Sequence, residues 1–391
     1  MKLPWRRYEA DPDMDYSEEE ISMMRNYSSY VYKKFLFIII CIIGSIVVAG
    51  FAISIGSYGI GFVDAYKLLF NHICGIGIGE TEDVVVWDVR MPRILAAIIA
   101  GAGLAVAGTT MQSTMKNPLA DPYTTGISSG ASFGATLAII LGFSIAGGSY
   151  AIVVNAFIFS LVPMVAIMAV SSIKRASPTT IILSGLAVMY LFNAMTTLIM
   201  LTADPNSLAE AYTWQIGTLG LMKWEHLPIM LGVVLVGGII LQFLASRINV
   251  LSSGDEGAKS LGIDADKLRL ISLLIVSLMA ASIVSFTGII GFIGLVCPHI
   301  CRMFIGSDIR YLMPASAAFG AVFLLICDLV GRTIIAPTIL DVGVVTAFIG
   351  GPTLLYLLIK QKREAWRWRS DTTMWTSATR VDVRFSMTLI L

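Results

Sequence analysis

Seven apolar runs, each about 20 residues long and so able to cross a bilayer as a helix, recur at 35–56, 94–114, 149–171, 179–201, 228–246, 269–287 and 312–331. Lipid offers no hydrogen bonds to exposed backbone, so each run must satisfy its own amides and carbonyls as helix. Three further stretches, 124–143, 289–305 and 343–360, are apolar but interrupted by glycine or proline. Counting them gives about ten transmembrane helices in an all-α polytopic membrane protein. Composition agrees: 14% of the residues are charged, against about 25% in soluble domains, and the mean hydropathy is +0.81. A net charge of +1 makes no case for a nucleic-acid partner.

The expected organisation is a polar N-terminal tail (1–34), a membrane domain (35–362) and a C-terminal tail (363–391) that Trp366, Trp368 and Arg369 would anchor at the membrane interface. With the N-terminus inside, Lys33, Lys34, Lys116, Lys174, Arg175, Arg247, Lys259, Lys267, Arg269, Arg302, Arg310, Lys360, Lys362 and Arg363 all fall in cytosolic segments. Only Lys67, Arg90, Arg93, Lys223 and Arg332 remain outside, the asymmetry expected of a chain with both termini cytosolic. Helices two to five and seven to ten each open with a small-residue helix leading into a proline-broken segment (Asn117-Pro118, Cys297-Pro298). The two sets start on opposite sides of the membrane, as inverted repeats do, and such repeats flank the pathway in many transporters.

The segment 90–131 points the same way. Arg90-x-Pro92-Arg93 opens a helix rich in glycine and alanine (Gly101, Gly103, Ala105, Ala107, Gly108), which runs through Gln112 into Asn117-Pro118-Leu119-Ala120-Asp121-Pro122 and then Gly126–Ala131. Gly/Ala surfaces let membrane helices bring their backbones close, and polar, proline-broken backbone is tolerated only inside protein or beside a water-filled path.

These motifs, with Pro298-His299-Ile300-x-Arg302, Asp328–Arg332 and Val342–Pro352, resemble those of the FecCD-type permeases, the membrane subunits of ABC importers for iron–siderophore complexes, haem and cobalamin. The likeness extends over roughly 35–362. It implies a cytoplasmic-membrane permease working beside a second copy of itself, two ATP-binding cassette ATPase subunits and an extracellular or periplasmic substrate-binding protein. The chain contains no GxxxxGK[ST] phosphate loop, so hydrolysis of ATP with Mg is expected on the partner, with no enzyme activity and no cofactor in this chain. The family usually carries Pro-x-Glu-x-Pro-x-Gly before its last helix. This chain reads Pro337-Thr338-Ile339-Leu340-Asp341-Val342-Gly343, which blurs the outer-loop geometry and the substrate class.

Three groups of residues are singled out. Arg90, Arg93 and Arg332 are guanidinium groups at the outer end, where planar forks suit carboxylates. The resemblance implies docking of the binding protein there, membrane anchoring is the plain alternative, and Asp328 lies at ion-pair spacing from Arg332. Asn117 and Leu119, joined by Ser184, match the family's cytoplasmic gate, although Asn117-Pro118 also reads as a simple cap and turn. The polar loop 246–268 is either a solvated connector or a knob of two short helices. In the second case Ser252 or Ser253 caps the first helix, Gly262 ends it and Asp264 caps the other. In the family this loop meets the ATPase subunits, which marks Ser253, Asp255, Glu256, Lys259 and Gly262.

Other residues read more plainly. Cys297-Pro298-His299-Ile300-Cys301 offers three soft ligands, but no fourth is evident in the sequence, and a packed helix turn without metal is expected. The other cysteines, Cys41, Cys74 and Cys327, form no disulfide pattern. The acidic first outer loop (Asp64, His72, Glu80, Glu82, Asp83, Asp88) reads as solvated. No paired-carboxylate or Ser/His/Asp set supports a catalytic site. An ion-coupled secondary transporter is the main alternative, and Asp328 is its one intramembrane candidate for the coupling ion.

Overall fold

The computed structural model describes residues 18–356, apart from 57, 77–78 and 175, together with 359. The first half of the expected N-terminal tail and all of the C-terminal tail lie outside the described residues.

Among the described residues the regular structure is helical: α1 (Glu18–Ser54), α2 (Phe62–Ile73), α3 (Thr81–Thr114), α4 (Ile127–Leu141), α5 (Ala151–Ile173), α6 (Pro178–Met200), α7 (Pro205–Ile216), α8 (Leu227–Ser253), α9 (Asp255–Ser260), α10 (Ala265–Thr287), α11 (Ile293–Ile305), α12 (Ile309–Thr333) and α13 (Val342–Tyr356). Seven of these (α1, α3, α5, α6, α8, α10 and α12) have the length and apolarity to span a membrane. The shorter apolar helices α4, α11 and α13 fall where glycine and proline interrupt the sequence. The chain divides into two compact units, residues 1–347 and 348–391, and the second is helical over 348–356.

The main unit is built around α3. Of its most apolar window 83% is buried, against 22% for α1 and α6. Helices α12, α8, α10 and α11 all pack on it, while α4 gathers α5, α6 and α7 into a second group bridged by α10. Glycine sets these distances. A Cβ on Gly108 would lie 1.9 Å from the Gly294 carbonyl oxygen, and one on Gly101 would lie 2.3 Å from that of Gly320. The helices therefore touch through backbone, which is how helices associate where lipid removes the hydrophobic drive between them. Three threonines within α3 are satisfied locally, Thr109, Thr110 and Thr114 each donating to a carbonyl one turn back.

The order of elements repeats. α3 leads through a break to Gly126 (φ 89°), the short helix α4 and the proline-containing α5; α10 leads through Gly288 and Phe292 (φ 69°) to the short helix α11 and the proline-containing α12.

Substituting Gly108 by Ala should destabilise the protein by about 1–3 kcal/mol or more, because the added methyl group meets backbone that cannot step aside. Gly238→Ala, where nothing lies within 4 Å of the new atom, should be near neutral. Thermal unfolding in detergent compares the two, and equal melting temperatures would refute the close-packing account.

Candidate functional site

The protein presents two polar ends. At one end, the three arginines marked for docking are buried at 4%, 5% and 4% exposure for Arg90, Arg93 and Arg332. Arg90 Nη1 donates to the carbonyls of Ile53 (2.6 Å) and Ser54 (2.9 Å), and its Nη2 donates to that of Tyr58. Arg332 Nη1 donates to Ala52 O (3.2 Å) and Ile55 O (3.1 Å). These are the carbonyls at and just beyond the end of α1, which have no partner within the helix and carry its negative dipole end. Two arginines thus clamp the end of α1.

Asp328, fully buried, lies between the other guanidinium groups. Arg93 Nε donates to its Oδ1 at 2.8 Å, and Arg332 Nε lies 3.1 Å from its Oδ2, at ion-pair distance but poorly aligned for a hydrogen bond. Arg332 does pair with Asp328, as the i, i+4 spacing allowed, and Arg93 shares that carboxylate. The expected exposed mouth is in fact a buried cluster with one carboxylate among three guanidinium groups. Among the described residues, Arg93 Nη2 and Arg332 Nη2 have no hydrogen-bond partner.

Beside this cluster, Asp64, Glu80, Glu82 and Asp88 of the acidic outer segment are exposed, as expected of a solvated loop, but Asp83 is buried. α2 occupies 62–73, and His72 Nδ1 lies 2.8 Å from Oδ1 of the buried Asp83, which also accepts from Gly79 N. The His72 ring stacks on Trp87 at 4.1 Å, and Trp224 Nε1 donates to Trp87 O. The spacing His72 to Asp83 gives no periodic signal, so the sequence concealed this clasp.

The opposite end holds the residues expected at the gate and in the knob. After α3 the chain turns at Lys116 in the left-handed region (φ 51°), and Asn117 Oδ1 accepts from Leu119 N at 3.0 Å, so Asn117 does cap the turn. Asn117 is half-buried and Leu119 is exposed. Ser184 is half-buried on α6 beside Gly185, whose Cβ would lie 2.7 Å from Thr125 Cα. The start of α6 therefore packs against the same break that carries Asn117 and Leu119.

The knob differs from expectation in two respects. Ser252 and Ser253 do not cap a short helix: α8 continues through Ser253, both hydroxyls turn back to Asn249 O, and Gly254 makes the break. α9 follows as one short helix with Asp255 and Glu256 in its first turn, and Gly262 (φ 75°) stands just past its end. Asp264 caps the spanning helix α10, accepting from Lys267 N at 3.1 Å, so there is no second short helix. Glu256, Lys259 and Gly262 are exposed. Asp255 instead binds inward, its Oδ1 accepting from Lys116 Nζ (2.6 Å) and Arg269 Nη2 (2.9 Å). The Lys116 ammonium and then the Arg269 guanidinium hold its carboxyl below the usual range. A cleft of about 480 Å³ opens here, lined by Lys116, Pro178 and Ser253–Gly257.

Cys41, Cys297, Cys301 and Cys327 are buried free thiols, and among the described residues no group of three or more Cys, His, Asp or Glu is arranged to hold a metal.

The pattern of the FecCD transport family matches residues 38–360. The hemin transport system permease protein of Yersinia pestis is 34% identical, over 80% of this chain and 93% of its own. The cobalamin import system permease protein of Halobacterium salinarum is 38% identical, over 72% of this chain and 75% of its own. A solved ABC transporter described as of metal-chelate type, in an inward-facing conformation, superposes with a TM-score of 0.72 and 28% identity, over 83% of this chain and 98% of its own.

Replacing Asp328 by Asn should cost about 3–5 kcal/mol, since it leaves buried guanidinium groups without their carboxylate. A purified Asp328→Asn variant that melts with the wild type would show that the arginines carry their charge without it.

Proposed function

The chain belongs to the FecCD transport family, and from that premise we propose that it is the homodimeric permease subunit of an importer moving a metal chelate across the cytoplasmic membrane. Iron–siderophore, haem and cobalamin are the cargo classes, in keeping with the hemin and cobalamin permeases it resembles. ATP with Mg binds and is hydrolysed on two separate ATPase subunits, and this chain contributes no catalysis and no bound cofactor.

The observation that carries this reading is the meeting of Lys116, at the gate turn, with Asp255, at the start of α9. Gate and partner-contact helix adjoin at one end of the bundle, so a motor docked outside the membrane can act on the pathway. Asn117 and Leu119, with Ser184 behind them, form the inner gate with the same residues of a second copy. Ser253, Glu256, Lys259 and Gly262 face the ATPase subunit, and Asp255 fixes α9 from within. This is the cytosolic end. The contacts Asn249–Asp308, Gln242–Arg310 and Lys34–Tyr311 bring other segments of the inside set together, in accord with cytosolic termini.

The opposite end receives the extracellular or periplasmic binding protein. Arg93 Nη2 and Arg332 Nη2, without hydrogen-bond partners among the described residues, are the donors a carboxylate would take once the end of α1 yields, whereas Arg90 is occupied by three carbonyls. The ion-coupled alternative loses ground because Asp328 is held between two arginines, whose positive charge more than offsets its own.

Two measurements on the protein reconstituted in vesicles test this. Deleting 254–262 should abolish capture of a Walker-type ATPase subunit while leaving membrane insertion intact; full assembly without that segment would refute the assignment of the knob. With the native cysteines removed, Leu119→Cys should cross-link between two copies in a nucleotide-dependent way. A confirmed dimer that never cross-links would refute the two-fold gate.

A further inference from the structure

Arg269 stood out in the sequence only as one more inside charge. In the structure it is completely buried, and its guanidinium group serves four segments at once. Nε donates to Thr114 O (3.1 Å) in the last turn of α3, and Nη1 to Ala176 O (3.0 Å) between α5 and α6. Nη1 also reaches Asp266 Oδ1 (3.4 Å) on its own helix, and Nη2 donates to Asp255 Oδ1 (2.9 Å) at the start of α9. The planar fork fixes the mutual angles of these bonds. A buried guanidinium that loses an acceptor leaves uncompensated charge, so the four segments have reason to move together.

The chain continues to the gate through Asp255. The oxygen that accepts from Arg269 also accepts from Lys116 Nζ. Lys116 has positive φ, a backbone region costly for a residue with a Cβ and held only where surroundings insist. A backbone bond from Asn117 N to Gln112 O (3.1 Å), which closes the end of α3, holds that conformation, and Asp255 fixes the side chain that projects from it. Withdrawal of Asp255 removes the tether on the Lys116 side chain, and Asn117, Pro118 and Leu119 follow directly in the chain. Asp255 and Lys116 thus tie α9 to the turn next to the gate by contiguous hydrogen bonds, the kind of physical network through which coupling between sites travels.

We propose that Arg269 is the positioning residue that makes the gate follow the partner-contact helix, joining α9, the end of α3 and the α5–α6 linker into one unit through Asp255 and Lys116. It deepens the importer reading and rests on it. Neither Arg269 nor Lys116 was assigned a role by the resemblance, and the hydrogen bonds alone single them out.

The test uses the assembled complex with its ATPase subunit and reads Leu119→Cys cross-linking with ATP against ADP, in a background free of native cysteines. Arg269→Gln should retain assembly and ATP hydrolysis, while the ATP-to-ADP ratio of cross-linking falls by about tenfold, the scale of a typical coupling energy. Arg269→Lys keeps the charge without the fork and should not restore the ratio. Should Arg269→Gln fail to fold, Lys116→Met decides, because it removes only a partly exposed ion pair; it should lower the ratio, and Lys116→Arg should recover it. A wild-type ratio in assembled Arg269→Gln, or in Lys116→Met, overturns the inference and leaves the importer reading standing. A wild-type chain that captures no ATPase subunit overturns both.

Discussion

Backbone meets backbone where α3 crosses α11 and α12, at Gly108 against Gly294 and Gly101 against Gly320. Everything else in the main unit is arranged around those crossings. In water, a helix as poor in large side chains as α3 would have little to bury. In lipid the apolar contrast between helix surface and solvent vanishes, and close contact supplies the attraction instead. Small side chains are therefore what places α3 at the centre. Gln112 adds direction, its Nε2 donating to Gly294 O and Leu295 O, the first carbonyls of α11.

Charge is confined to the two ends, and at each end it is bound to backbone as well as to carboxylate. Arg90 and Arg332 hold the unpaired carbonyls at the end of α1, and Arg269 holds those of α3 and of the α5–α6 linker. The two clusters differ in balance. Asp255 and Asp266 surround Arg269 together with Lys116, two carboxylates for two cations. At the other end a single carboxylate, Asp328, stands among Arg90, Arg93 and Arg332. The excess positive charge is local to the buried cluster, since the segment beside it is acidic, with Asp64, Glu80, Glu82 and Asp88 exposed.

What the sequence revealed follows from periodicity and composition. The spanning helices could be read because a run of about 20 apolar residues matches the hydrocarbon core of a bilayer and is rare in water-soluble folds. The gate turn could be read because Asn-Pro is a strong local breaker. The interrupted stretches, counted from sequence as three more spanning helices, are apolar helices shorter than the seven that have spanning length. What was hidden depends on contacts between residues far apart in the chain. Arg93 and Asp328 are separated by 235 positions and Lys116 and Asp255 by 139, and no local pattern joins them. The arginines at the outer end were read as open because an arginine near a helix end usually is; burial came from the end of α1, whose carbonyls needed donors. The caps misread at Ser252 and Ser253 have a local cause. Serine is a good N-cap, but Gly254 next to it takes a conformation closed to other residues (φ 148°) and made the break itself.

The same helix reaches both charged ends. Arg93 and Lys116 are 23 positions apart on or beside α3, which at about 1.5 Å per residue is the thickness of a membrane core. Internal hydrogen bonding keeps such a rod stiff, and close packing on several sides prevents it from bending alone. Displacement of one end is therefore passed on as movement of the whole helix with its glycine-packed neighbours, or else is absorbed at the turns that flank it. The π-helical stretch Val85–Arg90 in the first part of α3 and the left-handed Lys116 after its end are where the regular helix gives way, and each is anchored by a cation, Arg90 on the α1 carbonyls and Lys116 on Asp255. A central helix that cannot deform, ended by two turns that can, confines adjustment to the places where soluble partners would meet the membrane domain.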